Sequence, residues 1–344
     1  MEEISNNQAT LNELRNEMPN LLKGVDFHNS LERCLANVFQ ISTNQENIKD
    51  NEINTTIYSY CLKPNRQNTD YCYESLAEIL FDQIIQYTIP RREREAALAT
   101  GNTAYVNELQ RKAKRKYIDY WKKRDDIVQK EKLEEKDSIT KSGEGGEELL
   151  FLLAEQVLGL PQAFCKMNLK TSYSMHFHGA DGIHIGLTED SSKLALYYSE
   201  VKVYKDVNVA IKNCLESLAP ILKKEEKEQC ELDLLSSHLD IGNNEKLANK
   251  LKEYFNPNRV ECCEFTEIRG LCLIAFNESG YEGFDYDKNA YNIMPETKKW
   301  IAKFKKEKID NNIKNVLINV FFIPMTCIDT FRNSFKKCIR GTNE

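Results

Sequence analysis

Two carboxylates and one lysine in the middle of the chain have the types and the spacing of a hydrolytic metal site. Asp181 lies at the start of one apolar run, and Glu200 and Lys202 lie near the end of the next run, after a polar turn. Side chains of a strand alternate between its two faces, so Glu200 and Lys202 share one face while Val201 lies on the other. If the two runs pair as a hairpin, Asp181 comes to the same end of the sheet as Glu200.

The chemistry that such a set performs is metal-dependent hydrolysis of a phosphodiester. Carboxylate oxygens are the ligands that a hard cation such as Mg²⁺ prefers, and Mn²⁺ accepts the same ligands. A bound metal ion polarises the phosphodiester and lowers the pKa of a bound water. A lysine beside that water can orient it or stabilise the charge that develops on the phosphate. An edge strand with alternating surface charges is the alternative interpretation of these residues taken alone.

The composition favours a folded protein in a reducing compartment. The 344 residues are 41% hydrophobic and 29% charged, which is typical of a chain with a packed core. The net charge of −6 is not typical of a nucleic-acid binder, although a nuclease can bind DNA through a local basic groove. The 11 cysteines include no CxxC pair and the five histidines have no finger spacing, which indicates free thiols in the cytoplasm. Neither a signal peptide nor an apolar run of the roughly 18 residues that a membrane span needs is predicted.

The hydrophobic pattern predicts a mainly helical N-terminal domain over residues 1–140. Apolar residues spaced by three or four predict one helix from Leu21 to Phe39. A short strand is predicted at residues 58–62, and a clearer helix covers residues 73–90.

The most basic part of the chain is residues 91–130, where Lys and Arg clearly outnumber Asp and Glu. Tyr117, Tyr120 and Trp121 interleave with these charges in a helical pattern. One interpretation is a solvated helix face with the aromatic residues packed inward. The other is contact with phosphates or with an acidic partner surface, and we expect this domain to hold a partner.

A second domain, residues 141–344, is predicted to be of the mixed α/β class. A helix opens at Gly143, and three strands follow with the sequences AFCKMNLK, GADGIHIGL and LALYYSEVKVY. A crossover helix over 205–223, a helical insertion at about 224–258 and further strands and helices complete it. Such an order makes an α/β layer, with Asp181 at the start of the second strand and Glu200 near the end of the third.

The motif and this element order resemble the PD-(D/E)xK nucleases, whose restriction-endonuclease-like core has the same order. More specifically, five segments resemble the HamA family, the nuclease subunits of the Hachiman anti-phage defence system. They are LAEILFDQIIQYTIPRRERE with NELQRKAKRKY after it, GEGGEELLFLLAE, LPQAFCKM, GADGIHIGL and LALYYSEVKVYKDVNVAIKNCLESL, and they lie in the family's order over about residues 75–220.

The resemblance implies a bacterial, Mg²⁺-dependent deoxyribonuclease with little sequence specificity. Its implied partner is a superfamily 2 helicase, HamB, which restrains the nuclease and activates it. By the same resemblance Asp181 and Glu200 are expected to be the metal ligands, together with the backbone carbonyl of Val201. Lys202 is expected to orient the attacking water.

A glutamate of the first helix is also expected at the site, and Glu147 fits best, with Glu144 one turn earlier as the alternative. Both are equally explained as acidic first-turn residues that favour the helix dipole. Lys166 and Lys170 share a face of the first predicted strand, and with Lys205 they are candidate DNA contacts.

Three histidines near the motif, His176, His178 and His184, suit zinc more than magnesium. We expect His178 or His184 to line the site or to pack structurally. The alternative function is a catalytically silent nuclease-fold module that only docks the helicase or DNA. A third hypothesis keeps the nuclease but has RNA as the substrate.

Overall fold

A computed structural model of the chain describes residues 2–22, 28–42, 54–63, 72–131, 143–165, 167, 180–223, 232–233, 235–256, 258–278 and 294–341. The strands are β1 (Leu35–Ser42), β2 (Thr55–Leu62), β3 (Gly182–Leu187), β4 (Leu194–Tyr204), β5 (Thr266–Asn277) and β6 (Ile318–Met325). The helices before β3 are α1 (Glu2–Leu21), α2 (His28–Cys34), α3 (Tyr73–Thr88), α4 (Arg91–Ala99), α5 (Thr103–Glu131) and α6 (Glu144–Val157). Those after β4 are α7 (Val207–Leu222), α8 (Glu245–Leu251), α9 (Val260–Phe265), α10 (Met294–Asp310) and α11 (Ile328–Arg340), with a 3-10 helix at Lys252–Phe255. In the ranges described, no helix is long and apolar enough to cross a membrane.

The six strands form one mixed sheet in the order β1-β2-β6-β5-β4-β3. The inner pairs β2–β6, β6–β5 and β5–β4 are parallel, and the outer pairs β1–β2 and β3–β4 are antiparallel. All eight residues of β6 are buried, as expected for a strand covered on both faces. This sheet confirms the predicted mixed α/β class and is consistent with a nuclease-like fold.

Helices cover the sheet on both faces, and β4 shows which helix lies where. Gly146 of α6 lies against Val201 and Val203, since a Cβ added to it would be 2.8 Å from a methyl group of each. Cys214 of α7 lies on the other face of β4, close to Glu200. The N-terminal turn of α6 and the middle of α7 therefore lie on opposite faces of the same strand.

The prediction of one helix from Leu21 to Phe39 is confirmed only for α2, since α1 ends at Leu21 and residues 23–27 lie outside the described residues. Helix α2 ends at Cys34, and the chain continues as β1, which pairs with β2 from Leu35 opposite Leu62. Strand pairing prevails here over the helical spacing, because the apolar residues of 35–39 also include β-branched and aromatic types that favour strands.

The first predicted strand of the meander, AFCKMNLK, is reduced to a single bridge in the part that the structure describes. Gln162 forms an isolated antiparallel bridge with His184, and residues 163–165 are not strand. The ladder stops because the Ala163 carbonyl accepts from the Asp240 N–H instead of continuing along β3. Of the other residues of this predicted strand, Lys166 and 168–170 lie outside the described residues.

The division into domains 1–140 and 141–344 stays a prediction, and the sheet crosses it. Strand β2 pairs with β6 from Thr55 opposite Ile318, so residues from both sides form one ladder. Buried apolar residues from both sides also belong to one core cluster. Removing the N-terminal region would therefore remove two strands of the sheet.

The close approach of α6 to β4 makes Gly146 a sensitive position. We expect Gly146→Ala to destabilise the protein by about 1–3 kcal/mol through overpacking against Val201 and Val203, despite the gain of about 1 kcal/mol that Ala usually brings to a helix. Urea unfolding measures the change. Gly143→Ala is the control, because its Cβ would meet no atom within 4 Å. Equal or greater stability of Gly146→Ala would contradict the packing argument.

Candidate active site

Asp181 immediately precedes β3. At this end of the β3–β4 ladder, β4 continues beyond its neighbour. The Asp181 N–H donates to the Ser199 carbonyl at 2.7 Å, and its Oδ2 accepts from the Val201 N–H at 2.8 Å. The carboxylate thus takes the place of the next strand residue in the ladder. The predicted approach of Asp181 to the Glu200 end of β4 is confirmed in this geometry.

The backbone of Val201 faces Asp181 along the same edge. In a strand, the N–H and the C=O of one residue point to the same neighbouring strand. Because the Val201 N–H donates to Asp181, its carbonyl also points toward that edge. The Val201 carbonyl and the Asp181 carboxylate are therefore oxygen donors at one edge of β4, and Glu200 is the preceding residue of the same strand.

Glu200 and Lys202 share the other face of β4, and the Lys202 ammonium donates to Glu200 Oε1. Burial acts to lower the pKa of Lys202, but the Glu200 carboxylate, with a smaller contribution from Asp181, raises it above its usual value. The ammonium therefore stays charged at neutral pH. Glu200 is only 6% exposed, because α7 covers that face.

The donor set fits a hard cation. Asp181 and Glu200 supply carboxylates and Val201 a carbonyl, and Mg²⁺ and Mn²⁺ bind such oxygens. Within the described part of the chain, no group of three or more His, Cys, Asp or Glu is arranged to hold a metal ion. A metal held by this set would take its remaining ligands from water and substrate phosphate, as Mg²⁺ usually does.

Glu147 comes to the site from the opposite face. Its Oε2 accepts from the Tyr87 hydroxyl at 3.0 Å. Burial is the main cause that raises the pKa of Tyr87, and the Glu147 and Asp181 carboxylates raise it further. Because Gly146 lies against Val201 and Val203, Glu147 approaches β4 from the face opposite to that of Glu200 and Lys202. Glu144 is in the first turn of α6, and its side chain lies outside the described residues.

Glu148, the next residue of α6, was not among the candidates that the sequence indicated. It is fully buried, and its Oε2 accepts from the Tyr117 hydroxyl at 2.7 Å. Burial raises its pKa to about 8 although the hydrogen bond from Tyr117 acts in the other direction, so the carboxyl is protonated at neutral pH. The signal was in the sequence, because Glu148 falls on the buried stripe of α6 together with Leu149 and Leu152.

The basic and histidine candidates have different outcomes. His184 is buried, its Nδ1 lies 3.0 Å from the Leu160 carbonyl oxygen, and burial lowers its pKa to about 4, so it packs as a neutral ring. Lys205 is exposed and forms an ion pair with Asp329 at 3.0 Å. The remaining four candidates lie outside the described residues, and they are Lys166, Lys170, His176 and His178.

Arg332 of α11 is a further site neighbour that the sequence reasoning missed. Its guanidinium donates to the Val203 carbonyl and forms an ion pair with Asp329 at 3.2 Å. Val203 lies beyond the end of β3, so Arg332 binds the same edge of β4 as Asp181 does. Only the i, i+3 pairing of Asp329 with Arg332 was visible in the sequence.

The buried Glu148 should make stability depend on pH. Between pH 4.5 and about 8 this carboxyl is ionised in the unfolded chain and protonated in the folded one, so the wild type loses stability as the pH rises. Glu148→Gln has no such cost, so its advantage over wild type should grow with pH by up to about 1.4 kcal/mol per unit. Urea unfolding at pH 5, 6, 7 and 8 measures it. A constant difference across that range would contradict a buried protonated carboxyl.

Comparison with known proteins identifies the family but no individual relative. The model of the HamA family matches residues 37–339. A search of the curated proteins finds no match to this chain. Because the family model covers most of the sequence, including every described residue of the candidate site, the chain belongs to the HamA family and is a Hachiman defence protein.

Proposed function

We propose that the protein is a Mg²⁺-dependent deoxyribonuclease that hydrolyses DNA with little sequence specificity. The observation that carries the proposal is the group at the edge of β4, where the Asp181 carboxylate meets the Val201 backbone beside the Glu200–Lys202 pair. An edge strand with alternating surface charges does not account for it. Asp181 is bonded to β4, and Glu200 and Lys202 are largely covered rather than solvated.

Each residue has a distinct task in this proposal. Asp181, Glu200 and the Val201 carbonyl would hold the metal ion, which supplies Lewis-acid polarisation of the phosphodiester and a more acidic water. Lys202 carries a raised pKa because of Glu200, so it acts as a charged donor and not as a general base. Its ammonium can orient the water and offset the charge that develops on the phosphate.

We further propose that the protein works in a two-component complex with a superfamily 2 helicase that restrains and activates it. Support comes from α5, whose aromatic residues Tyr117 and Trp121 are fully buried while Arg111 and Arg115 are exposed on the outer side. The aromatic residues thus pack inward, and the basic residues form an outward face that suits an acidic partner surface.

Cleavage of plasmid and linear DNA with Mg²⁺ tests the nuclease. Glu200→Gln and Lys202→Met keep side-chain volume but remove the charges, and we expect each to lower the cleavage rate about a hundredfold or more. Each protein is assayed alone and with the helicase and ATP. Glu216→Gln and Lys212→Met are the matched controls, because they remove an exposed i, i+4 pair on α7.

Thermal unfolding of each variant separates loss of chemistry from loss of fold. Variants at positions 200 and 202 that are folded and cut like the wild type would overturn the assignment. If the wild type cleaves DNA neither alone nor with the helicase and ATP, the catalytically silent docking module is favoured instead. In that case Mg²⁺ should also leave the melting temperature unchanged, since a ligand that binds only the folded state raises it.

The partner surface has its own test. We expect Arg111→Glu combined with Arg115→Glu to weaken co-purification with the helicase, because the substitutions reverse the charge of the exposed face of α5. Lys298→Glu combined with Lys306→Glu, on the exposed side of α10, is the control for net charge. Equal loss in both double variants, or no loss in either, would rule out α5 as the docking face.

A further inference from the structure

The segment IIQYTIPRRE, residues 84–93, is the most distinctive one in the N-terminal region, and the proposed chemistry does not use it. It contains the end of α3 and the start of α4. Its polar side chains reach α6, the helix that bears Glu147. The segment therefore connects the N-terminal helices to the candidate site.

This segment binds α6 near both of its ends. Tyr87 donates to Glu147 near the N-terminus of α6. Arg91 forms a buried ion pair with Glu155, at 3.8 Å, near the C-terminus. Arg91 also donates to Asp240, which lies on a separate loop. The two contacts together set where α6 lies along the end of α3.

The phenol of Tyr87 is a rigid donor. The side chain is 1% exposed, and its ring packs against Phe151 and Tyr117 with centroid distances of 5.6 and 6.5 Å. The next residue, Thr88, is also fixed, since its hydroxyl donates to the Ile84 carbonyl one helical turn earlier. A carboxylate that accepts from such a donor keeps one orientation, while that of an unbonded glutamate rotates.

Tyr87 is also close to the part of the site that belongs to Asp181. The pKa of its phenol is raised by burial and then by Glu147 and, more weakly, by Glu148 and Asp181. Gly146, the residue before Glu147, lies against Val201 and Val203, so the Tyr87–Glu147 hydrogen bond is at the end of α6 that packs on β4. The N–H of the same Val201 donates to Asp181, so Asp181 and the start of α6 contact the same residue of β4.

We propose that Tyr87 is a positioning residue, which orients the Glu147 carboxylate toward the metal ion at Asp181 and so couples the N-terminal helices to catalysis. The inference rests on the proposed nuclease function. It assigns to the 84–93 segment a role in the reaction rather than in stability alone.

The neighbouring contact supplies a matched control. Tyr117 donates to Glu148 as Tyr87 donates to Glu147, and both tyrosines are fully buried. The two glutamates are consecutive on α6, but Glu148 is in the core and does not face the site. Tyr87→Phe and Tyr117→Phe therefore each remove one phenol-to-carboxyl hydrogen bond at similar burial, the first from Glu147 and the second from Glu148.

The experiment compares wild type, Tyr87→Phe and Tyr117→Phe in the full chain, with the helicase where activity requires it. Both variants should lower the urea midpoint by comparable amounts. Only Tyr87→Phe should lower kcat, by about tenfold, and raise the Mg²⁺ concentration for half-maximal rate, with KM for DNA unchanged. In a Glu147→Gln background, Tyr87→Phe should have little further effect, because the two residues act as one unit.

The outcomes separate the inference from the function on which it rests. Two results would overturn the inference and leave the nuclease assignment intact, provided that the wild type cleaves DNA. One is that Tyr87→Phe cleaves no more slowly than Tyr117→Phe. The other is that Tyr87→Phe lowers the rate of the Glu147→Gln variant as much as it lowers the rate of the wild type. If wild type does not cut in any arm, the nuclease fails, and Mg²⁺-induced melting shifts decide the orientation of Glu147. A shift that is smaller only in Tyr87→Phe supports it, and equal shifts or none in all three proteins overturn it.

Discussion

The candidate site depends on the hydrogen bond from the Val201 N–H to the Asp181 carboxylate. It lies just before the first residue of β3, where β4 continues beyond the β3–β4 ladder. A strand that outlasts its neighbour leaves backbone N–H and C=O groups that need partners. Asp181 satisfies one of them, and Arg332 satisfies another further along the strand. The edge thereby gathers a carboxylate and a backbone carbonyl, and α11 brings the guanidinium of Arg332 to it.

The two consecutive glutamates of α6 show how burial separates chemical roles. Glu147 is half-buried and accepts from a phenol near the strand edge. Glu148 is fully buried, so desolvation keeps it protonated and makes it a core group. Both carboxyls receive a tyrosine hydroxyl from the N-terminal helices. The N-terminal region therefore supports the candidate site directly, in addition to supplying two strands of the sheet.

Much of the fold was predictable in segments where the spacing of apolar residues matches the buried side of a single helix or strand. Helices α3 and α7, the start of α6, and strands β3 and β4 were expected close to their observed bounds, because each has a continuous apolar stripe or run. The helix expected through Leu35 to Phe39 failed, since spacing alone does not reveal that β2 pairs with these residues. The strand expected after α6 shortened to a bridge, because Asp240, distant in sequence, binds its backbone.

The sequence by itself determined the types and the order of the chemistry, namely Asp181 before one strand and Glu200 and Lys202 along the next, together with the family. These are local facts, since alternation along a strand and the length of a hairpin place all three residues. Only the tertiary structure decided that Glu147 lies on the other face of β4, that Tyr87 holds it, and that Arg332 binds the same edge. Those contacts join residues 60 and 129 positions apart. Only the packing of helices on the sheet brings such residues together, and the periodicity of a single element does not record it.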